Sequence, residues 1–542
     1  MKMNLVDRAI AYFDPSAGRE RAVARMQIEA SGAYAGASRS RPSLKSWWTS
    51  KKSADEDLNP ELSTLRSRSR DLERNNPLAH GALKTKTTYV IGTGLRPEPN
   101  IDADYLGLTS EQAEALQAKI LREFELVATS PEGDAARRKT FYQKQAEIYH
   151  SSRTNGDAFL LLPHFERGEW PYHTRFQSVE SDRVCNPNNK PDTDSMSGGF
   201  ELDQHGATDA LHILQCSPTR RFGKGSNAWQ RVPVYRDNGA RNVLILSNHN
   251  LRSGQTRGVP DLAPVIEVIK QAGRYVDAEL MASVISSKFT VFIKSEGGGS
   301  RDPYAPGGAG DDDYDDAGSD DPEERDLRLG DGLVTELDEG ESIETANPGR
   351  PNAQFDPFVT ALWRQIGGAL GIPFEVLLKH FTASYSASRA ALLQFSSYIL
   401  VDRADVVVSI CQPYYEAIIA EAVARGRLHM PGFFKDPMIR RAYCRALWHG
   451  PVMGEIDELK AANAAEKRLN IGITTNEREA RRNVGESWSQ MNEQRRIEER
   501  RKWRPSAQGN GSEPDPEEDP DDNDNRESPA QRRASHYGGN KP

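Results

Sequence analysis

GQTRGVPDLAPVIEVIKQAGRYVDAELMASVISSKFTVFIK, residues 254–294, decides how the chain is read. Gly258 and Pro260 make a rigid approach, Asp261 is placed to cap free N–H groups, and Pro264 falls in the first turn, where its missing donor matters little. No proline follows before Lys288, and Val265, Ile266, Ile269, Ala272, Val276, Leu280, Val284 and Ile285 recur at close to helical spacing. About 25 helical residues span roughly 37 Å, long for a globular helix. At Phe289, Val291 and Ile293 the pattern switches to the alternation of a strand. A buried core helix would show the same spacing, so this stretch alone does not settle the function.

A second stretch, residues 346–389, reads ANPGRPNAQFDPFVTALWRQIGGALGIPFEVLLKHFTASYSASR. Asp356 and Pro357 form a cap and first-turn pair. Phe358, Leu362, Ile366 and Leu370 follow every four residues, and Gly371 with Pro373 closes the helix. Phe374 to Ser388 reads as a loop. Residues 389–425 then read as a long helical run, kinked at Pro413 and stopped at Gly426.

Working outward, residues 1–58 form a basic extension in which Trp47 and Trp48 are expected to pack on the body or on a neighbouring chain. A helix is expected to open at Asn59–Pro60 and restart at Asn76–Pro77, and Thr109 with Gln112 forms a capping box before Leu116, Ile120 and Phe124. Another helix stops at Asn155–Gly156. Hairpins are expected at 157–162 with 171–179 and at 200–202 with 210–215, and 232–235 and 243–246 complete a β-rich block. Helices, then strands, then a long helix make the fold class α+β. Residues 296–325 are Gly, Pro and acid, a composition that cannot bury apolar surface. Asp311, Asp313 and Asp315 have part of a calcium-loop spacing, but no Gly at six or Glu at twelve follows. Two helices, 453–469 and 476–504, precede a polar tail at 506–542.

Among 542 residues the formal net charge is −9, which argues against tight wrapping of nucleic acid and does not by itself suggest DNA. No run approaches the ~20 apolar residues of a membrane span, and the first residues do not read as a signal peptide. Cys185, Cys216, Cys411 and Cys444 have the scattered spacing of free thiols. There is no P-loop, HExxH or GxSxG motif. His164, His173, His205 and His212 show no ligand spacing. The sequence therefore implies no cofactor, no metal and no catalytic residue.

Several long segments, in order, resemble the portal proteins of tailed bacteriophages, specifically the lambda-type family. They are GQTRGVP (254–260), RYVDAELMA (274–282), NPGRPNAQFDPF (347–358), ALGIP (369–373), YSASRAALL (385–393) and DLERNNPLAHGALKTKTTYVIGTGLRP (71–97). The resemblance runs over roughly residues 60–505. It implies a mixed α/β wing at 59–260, a first stem helix at 261–288, and a small α/β clip at 289–355 carrying the acidic insertion. A second stem helix at 356–372, a tunnel loop at 373–388, a long kinked helix at 389–453 and a helical crown at 454–505 follow. It also implies a ring, usually of twelve subunits, at one capsid vertex. The ring would assemble in the host cytoplasm and dock the large terminase, the capsid and scaffold proteins and the head–tail joining proteins. Double-stranded DNA would pass through it without sequence readout, and no membrane is involved. Lys379, His380 and Arg389 are the side chains expected to approach DNA; alternatively, Arg389 pairs with an acid of the next subunit. The other readings are a nuclease-ATPase of the packaging machinery, disfavoured by the missing P-loop, and a smaller head–tail adaptor, disfavoured by length.

Overall fold

The computed structural model describes residues 12–17, 19–21, 23, 35–37, 41–49, 51–215, 228–248, 252–288, 292–295, 341–344, 354–381, 384–452, 458–485 and 487–502. The acidic insertion and the C-terminal tail lie outside these residues. The chain divides into two compact units, Met1–Met453 and Gly454–Pro542.

Helix α1, Ala54–Asn75, begins five residues before the expected Asn59–Pro60 start. Ser53 and Glu56 form a reciprocal capping box there, with the Ser53 N–H donating to Glu56 Oε2 at 2.8 Å. Pro60 is thus inside the helix, where it forgoes one backbone hydrogen bond. Asn76 ends α1 and caps α2, Pro77–Val90, as expected. Capping boxes also open α3, Ser110–Ala128, and α4, Phe141–Asn155. Their apolar faces meet in one core in which Phe141 stacks on Tyr414 at 4.2 Å and Phe124 meets Tyr415 edge-on.

Among the described residues the strands form four small sheets. β1, Arg96–Pro99, pairs antiparallel with Ala446–His449 near the end of the unit. β2, Asp157–Leu161, is central in a three-stranded sheet between β3, Gln177–Val179, and β8, Val243–Ser247. The registers Phe159↔Val179 and Phe159↔Ile245 fix it. The four-stranded sheet is β4 Met196–Ser197, β5 Phe200–Leu202, β6 Thr208–Leu214 and β7 Trp229–Pro233 in that order. Both expected hairpins therefore form. The single β-rich block is corrected to two sheets, because β7 and β8 part company: Leu160↔Leu244 pairing buries β8 against α4 instead. Phe159, Val184, Phe200, Leu211 and Val243 fill a smaller core shared by the two sheets.

The long helix, α5, spans Ile266–Lys288 after a 3-10 turn at Ala263–Val265. Its cap is a correction: the N-cap position falls on Leu262, which supplies no side-chain hydrogen bond, while Asp261 is engaged elsewhere. Val265, Ile269 and Ala272 are buried, whereas Leu280, Met281 and Val284 are exposed. β9, Phe292–Ser295, pairs antiparallel with β10, Glu341–Glu344. The second helix, α6, runs Phe355–Leu370 from an N-cap at Gln354, so Asp356 and Pro357 sit inside its first turn and Asp356 is not the cap. Gly371 closes it in the left-handed region at φ 69°, as expected.

The expected loop at 373–388 is mostly helix. α7, Phe374–Leu378, buries Val376 and Leu377, and α8, Tyr385–Val406, starts four residues before Arg389 with Ser384 as its cap. The kink at Pro413 takes the form of a π turn, Val407–Cys411, just ahead of α9, Gln412–Ala424. Proline has no N–H for the carbonyl four residues back, and the turn widens where that bond is lost. The run expected over 389–453 is therefore not one helix: a loop, α10 Pro437–Tyr443 and β11 Ala446–His449 follow α9. Ser386–Ala424 does have the length and composition of a membrane span, contrary to the sequence reading, but half of its most apolar window is buried inside the subunit.

In the second unit, three helices replace the two expected: α11 Glu458–Asn470, α12 Asn476–Asn483 and α13 Trp488–Lys502. Gly485, at φ 84°, makes the extra break. Arg468 on α11 grips Glu479 on α12 through two bonds of 2.9 and 2.7 Å.

The approach of residues 254–260 to α5 depends on two glycines. A Cβ on Gly258 would lie 1.8 Å from the Gly156 carbonyl oxygen, and one on Gly156 would lie 2.2 Å from that of Gly258. Backbone meets backbone, so no side chain can swing away. Gly258→Ala is expected to lower stability by about 1–3 kcal/mol, measured as a fall in thermal midpoint; Gly368→Ala, at an ordinary φ with open space around it, gives the control for added side-chain volume.

Candidate functional site

Thr256, Arg257 and Asp261 of GQTRGVPD each have distinct partners. Thr256 bonds Asp55 twice, through its N–H at 2.8 Å and its hydroxyl at 2.9 Å, fastening the segment to α1. Arg257 enters the interior between Phe159 and Phe200. Its Nε donates to Asp157 Oδ2 at 2.6 Å, and its other nitrogens reach the carbonyls of Val184, Gly198 and Ser181. Arg66 of α1 approaches Asp157 from the other side, donating at 3.0 and 2.9 Å. Burial alone would raise the Asp157 pKa, but Arg257 and Arg66 overcome that and hold it below the usual carboxylate range. Burial lowers Arg66 to about 10, with Asp157 opposing the shift.

Asp261 lies at the foot of α5 and is buried. It accepts from Lys86 Nζ on α2 and from Asn248 Nδ2 after β8, both at 2.7 Å. Arg153 at the end of α4 bonds the Asn248 side chain and lies 4.0 Å from both Asp261 and Asp402. Asp402, on α8, also accepts the Tyr149 hydroxyl at 2.5 Å. The foot of α5 is thus tied to α2, α4 and α8 by one buried polar network. Sequence reading missed Arg66, Asp157, Arg153 and Asp402; Arg66 stands in a run of arginines and Asp402 beside Arg403, so nothing local set them apart.

Above this junction α5 and α6 pair through aromatics, with Tyr275 stacked on Phe355 at 5.7 Å and edge-on to Phe358 at 5.0 Å. On α8 and the π turn that continues it, Phe395, Ile399 and Val406 face the core, but Leu393, Leu400, Val401 and, in the turn, Val408 are 60, 61, 63 and 70 % exposed. Leu393 with Leu400, and Val401 with Val408, are seven residues apart, close to two helical turns, so they form one apolar strip. Trp47 and Trp48, expected to be packed, are exposed on this subunit.

Lys379 and His380 are neighbours at the exposed C-terminal end of α7. Lys379 is the C-cap in the left-handed region at φ 55°, a position glycine normally takes. Arg389 is exposed on α8, on a helix and not in the loop, so the structure does not group it with the other two. Cys185, Cys411 and Cys444 are free thiols, as expected, and Cys216 lies outside the described residues. Asp311, Asp313 and Asp315 also lie outside them. Of the four histidines without ligand spacing, His212 pairs with Glu201 at 3.1 Å. His164 and His173 come together beside Glu421, a juxtaposition the sequence spacing did not reveal.

The structure thus gives an α+β body with a long helix pair whose foot is locked by the GQTRGVPD segment. The phage portal protein family model, lambda family, matches residues 40–403, and the chain belongs to that family. It is a phage portal protein, a structural part of the particle and not an enzyme. Portal protein B of Escherichia phage lambda is 24% identical over 467 residues, covering 83% of this chain and 86% of that protein. The portal protein of Escherichia phage N15 is 24% identical over 452 residues, covering 80% and 84%. Among solved structures, a chain of the neck of a native gene transfer agent particle, computed with C12 symmetry, is similar over 78% of this chain and 92% of its own, at 11% identity and TM-score 0.38. An HK97-family portal protein from Corynebacterium diphtheriae is similar over 64% and 86%, at 11% identity and TM-score 0.28.

Proposed function

We propose that the chain forms a closed ring, of twelve subunits, at one vertex of the capsid, and that DNA enters and leaves through its centre. The observation that carries this is the exposed apolar strip of α8, which one subunit leaves uncovered; a heterologous contact that closes on itself gives a cyclic oligomer. In this reading residues 59–260 are the wing, α5 and α6 the stem helices, and 289–355 the clip with its acidic insertion. The tunnel loop contracts to the segment between Lys379 and Ser384, α8 with α9 is the long kinked helix, and 454–505 is the crown. The large terminase, the capsid and scaffold proteins and the head–tail joining proteins are its partners, and the host cytoplasm is where it assembles. Electron microscopy of the purified protein is expected to show rings with a central hole. A species that stays monomeric by light scattering at micromolar concentration overturns the reading.

Lys379 and His380 are the DNA-facing cations of this proposal, with Arg389 behind them on α8. A lysine held at positive φ forgoes about 1–2 kcal/mol that glycine would not, and such local strain is characteristic of functional positions. Lys379→Ala with His380→Ala is expected to leave ring assembly intact and to change packaging in a reconstituted assay. Unchanged packaging removes DNA contact from this loop, and failure to form rings places the loop in a subunit interface.

A further inference from the structure

We propose that His164, His173 and Glu421 form a site for a divalent transition metal, zinc being the ion their donors favour, which pins the arm between β2 and β3 to α9. The arm is a pair of extended segments joined by the antiparallel bridge His164↔Thr174, which sets His164 and His173 on facing strands with ring centres 5.3 Å apart. Glu421 projects from α9, some 250 residues further along the chain, and its carboxylate meets both rings: one donor atom from each of the three residues lies within 4.8 Å of the others.

The carboxylate is held in place by the arm's own backbone. The His173 N–H donates to Oε1 at 2.6 Å, the Thr174 N–H donates to Oε2 at 2.9 Å, and Arg425 Nε donates to Oε1 at 2.8 Å. Arg425 Nη2 also stands 2.7 Å from Oε1, and the Thr174 side chain bonds the carboxylate too, so a metal here takes the place of one of these donors. Hydrogen bonds of this kind orient ligands around metals. Two imidazoles and one carboxylate are the donor set of zinc sites that keep a position open for water. Zinc–nitrogen bonds of about 2.0–2.1 Å require the donors to draw closer than they stand. The exposed His164 ring supplies that movement, since among the described residues its side-chain contacts are a 3.4 Å approach of Nδ1 to Thr174 Oγ1 and the edge of the His173 ring. Arg425 and Arg236 bring positive charge to the same face; Arg236 is fixed by Asn242 Oδ1 at 2.8 Å and the Leu162 carbonyl at 2.5 Å. Those charges weaken a cation site with one carboxylate. The expected affinity is therefore on the order of micromolar, well short of a four-ligand structural site.

The test uses the full-length protein. Wild type dialysed against zinc chloride at tens of micromolar is expected to retain one zinc per subunit. Cobalt(II) in its place is expected to give the visible absorption of a four- or five-coordinate ion. His164→Ala removes an exposed ligand without touching the core and is expected to weaken binding at least tenfold, as is His173→Ala. Zinc is also expected to slow amide exchange across residues 163–174 in wild type and not in His164→Ala. Absence of stoichiometric zinc, or zinc held equally by wild type and His164→Ala, overturns the proposal.

Discussion

Asp157→Ala is expected to destabilise the subunit by about 3–5 kcal/mol and to abolish most of the soluble ring, because it strands two buried guanidinium groups. Asp157 is fully buried between Arg66 and Arg257, and the three come from α1, β2 and the approach to α5. Without the carboxylate, Arg257 keeps its three backbone carbonyls and Arg66 keeps the Asn155 carbonyl at 2.9 Å. Arg66 also keeps a longer pair with Asp182 at 3.5 Å, a carboxylate that Arg70 shares, whereas Arg257 is left with backbone carbonyls. Thermal midpoint and soluble yield are the measurements; a midpoint within a degree or two of wild type refutes the argument. The pH dependence follows from the same group. Its folded pKa is depressed below 3.8, so the stabilisation is complete above the unfolded value and is lost as pH falls through the folded one. Stability from this trio is thus flat through neutral pH and falls only in acid below about pH 4. In Asp157→Asn that acid limb is expected to shrink.

Leu400→Glu combined with Val408→Glu is expected to keep the proposed ring from forming while leaving the subunit folded. Both side chains are exposed on a single subunit, so the new carboxylates face water there and no core contact is lost. In a ring each would be buried against a neighbour, and an unpaired buried charge is far costlier than a lost apolar contact. Because every interface of a closed ring carries the same substitution, the effect repeats around it. Sedimentation velocity is expected to shift from the ring to the monomer at unchanged circular dichroism. Rings that persist would show that this strip faces something other than a second copy. A doubly substituted protein that loses helical signal would show that the strip belongs to the subunit's own core.

Much of the local structure is readable from short spacings. The Thr109–Gln112 box, the Asn76–Pro77 restart and the Gly371 stop act through hydrogen bonds to backbone a few residues away, so their partners lie in the same stretch of sequence. One miss at that scale is a signal of the same kind: Ser53–Glu56 is a capping box, and it starts α1 at Ala54. Residues 374–378 read as loop because a five-residue helix has too few positions to show a period, yet burial of Val376 and Leu377 is enough to form it.

The candidate site is legible in the sequence as words without partners. GQTRGVP and ALGIP identify the family, but nothing in them says that Arg257 reaches Asp157, 100 residues earlier, or that Gly258 touches Gly156. The sequence by itself determined several helix ends, the α+β class and the lambda-type portal family, because caps, turns and motifs are local or act as an ordered set. Only the tertiary structure decided that β8 leaves its neighbour β7 to pair with β2, that Asp157 is shared by two arginines, that His164, His173 and Glu421 converge, and that one strip of α8 stays exposed. These depend on which surfaces pack together across long loops. Apolar alternation and isolated charges fix which residues seek burial, not which partner they meet.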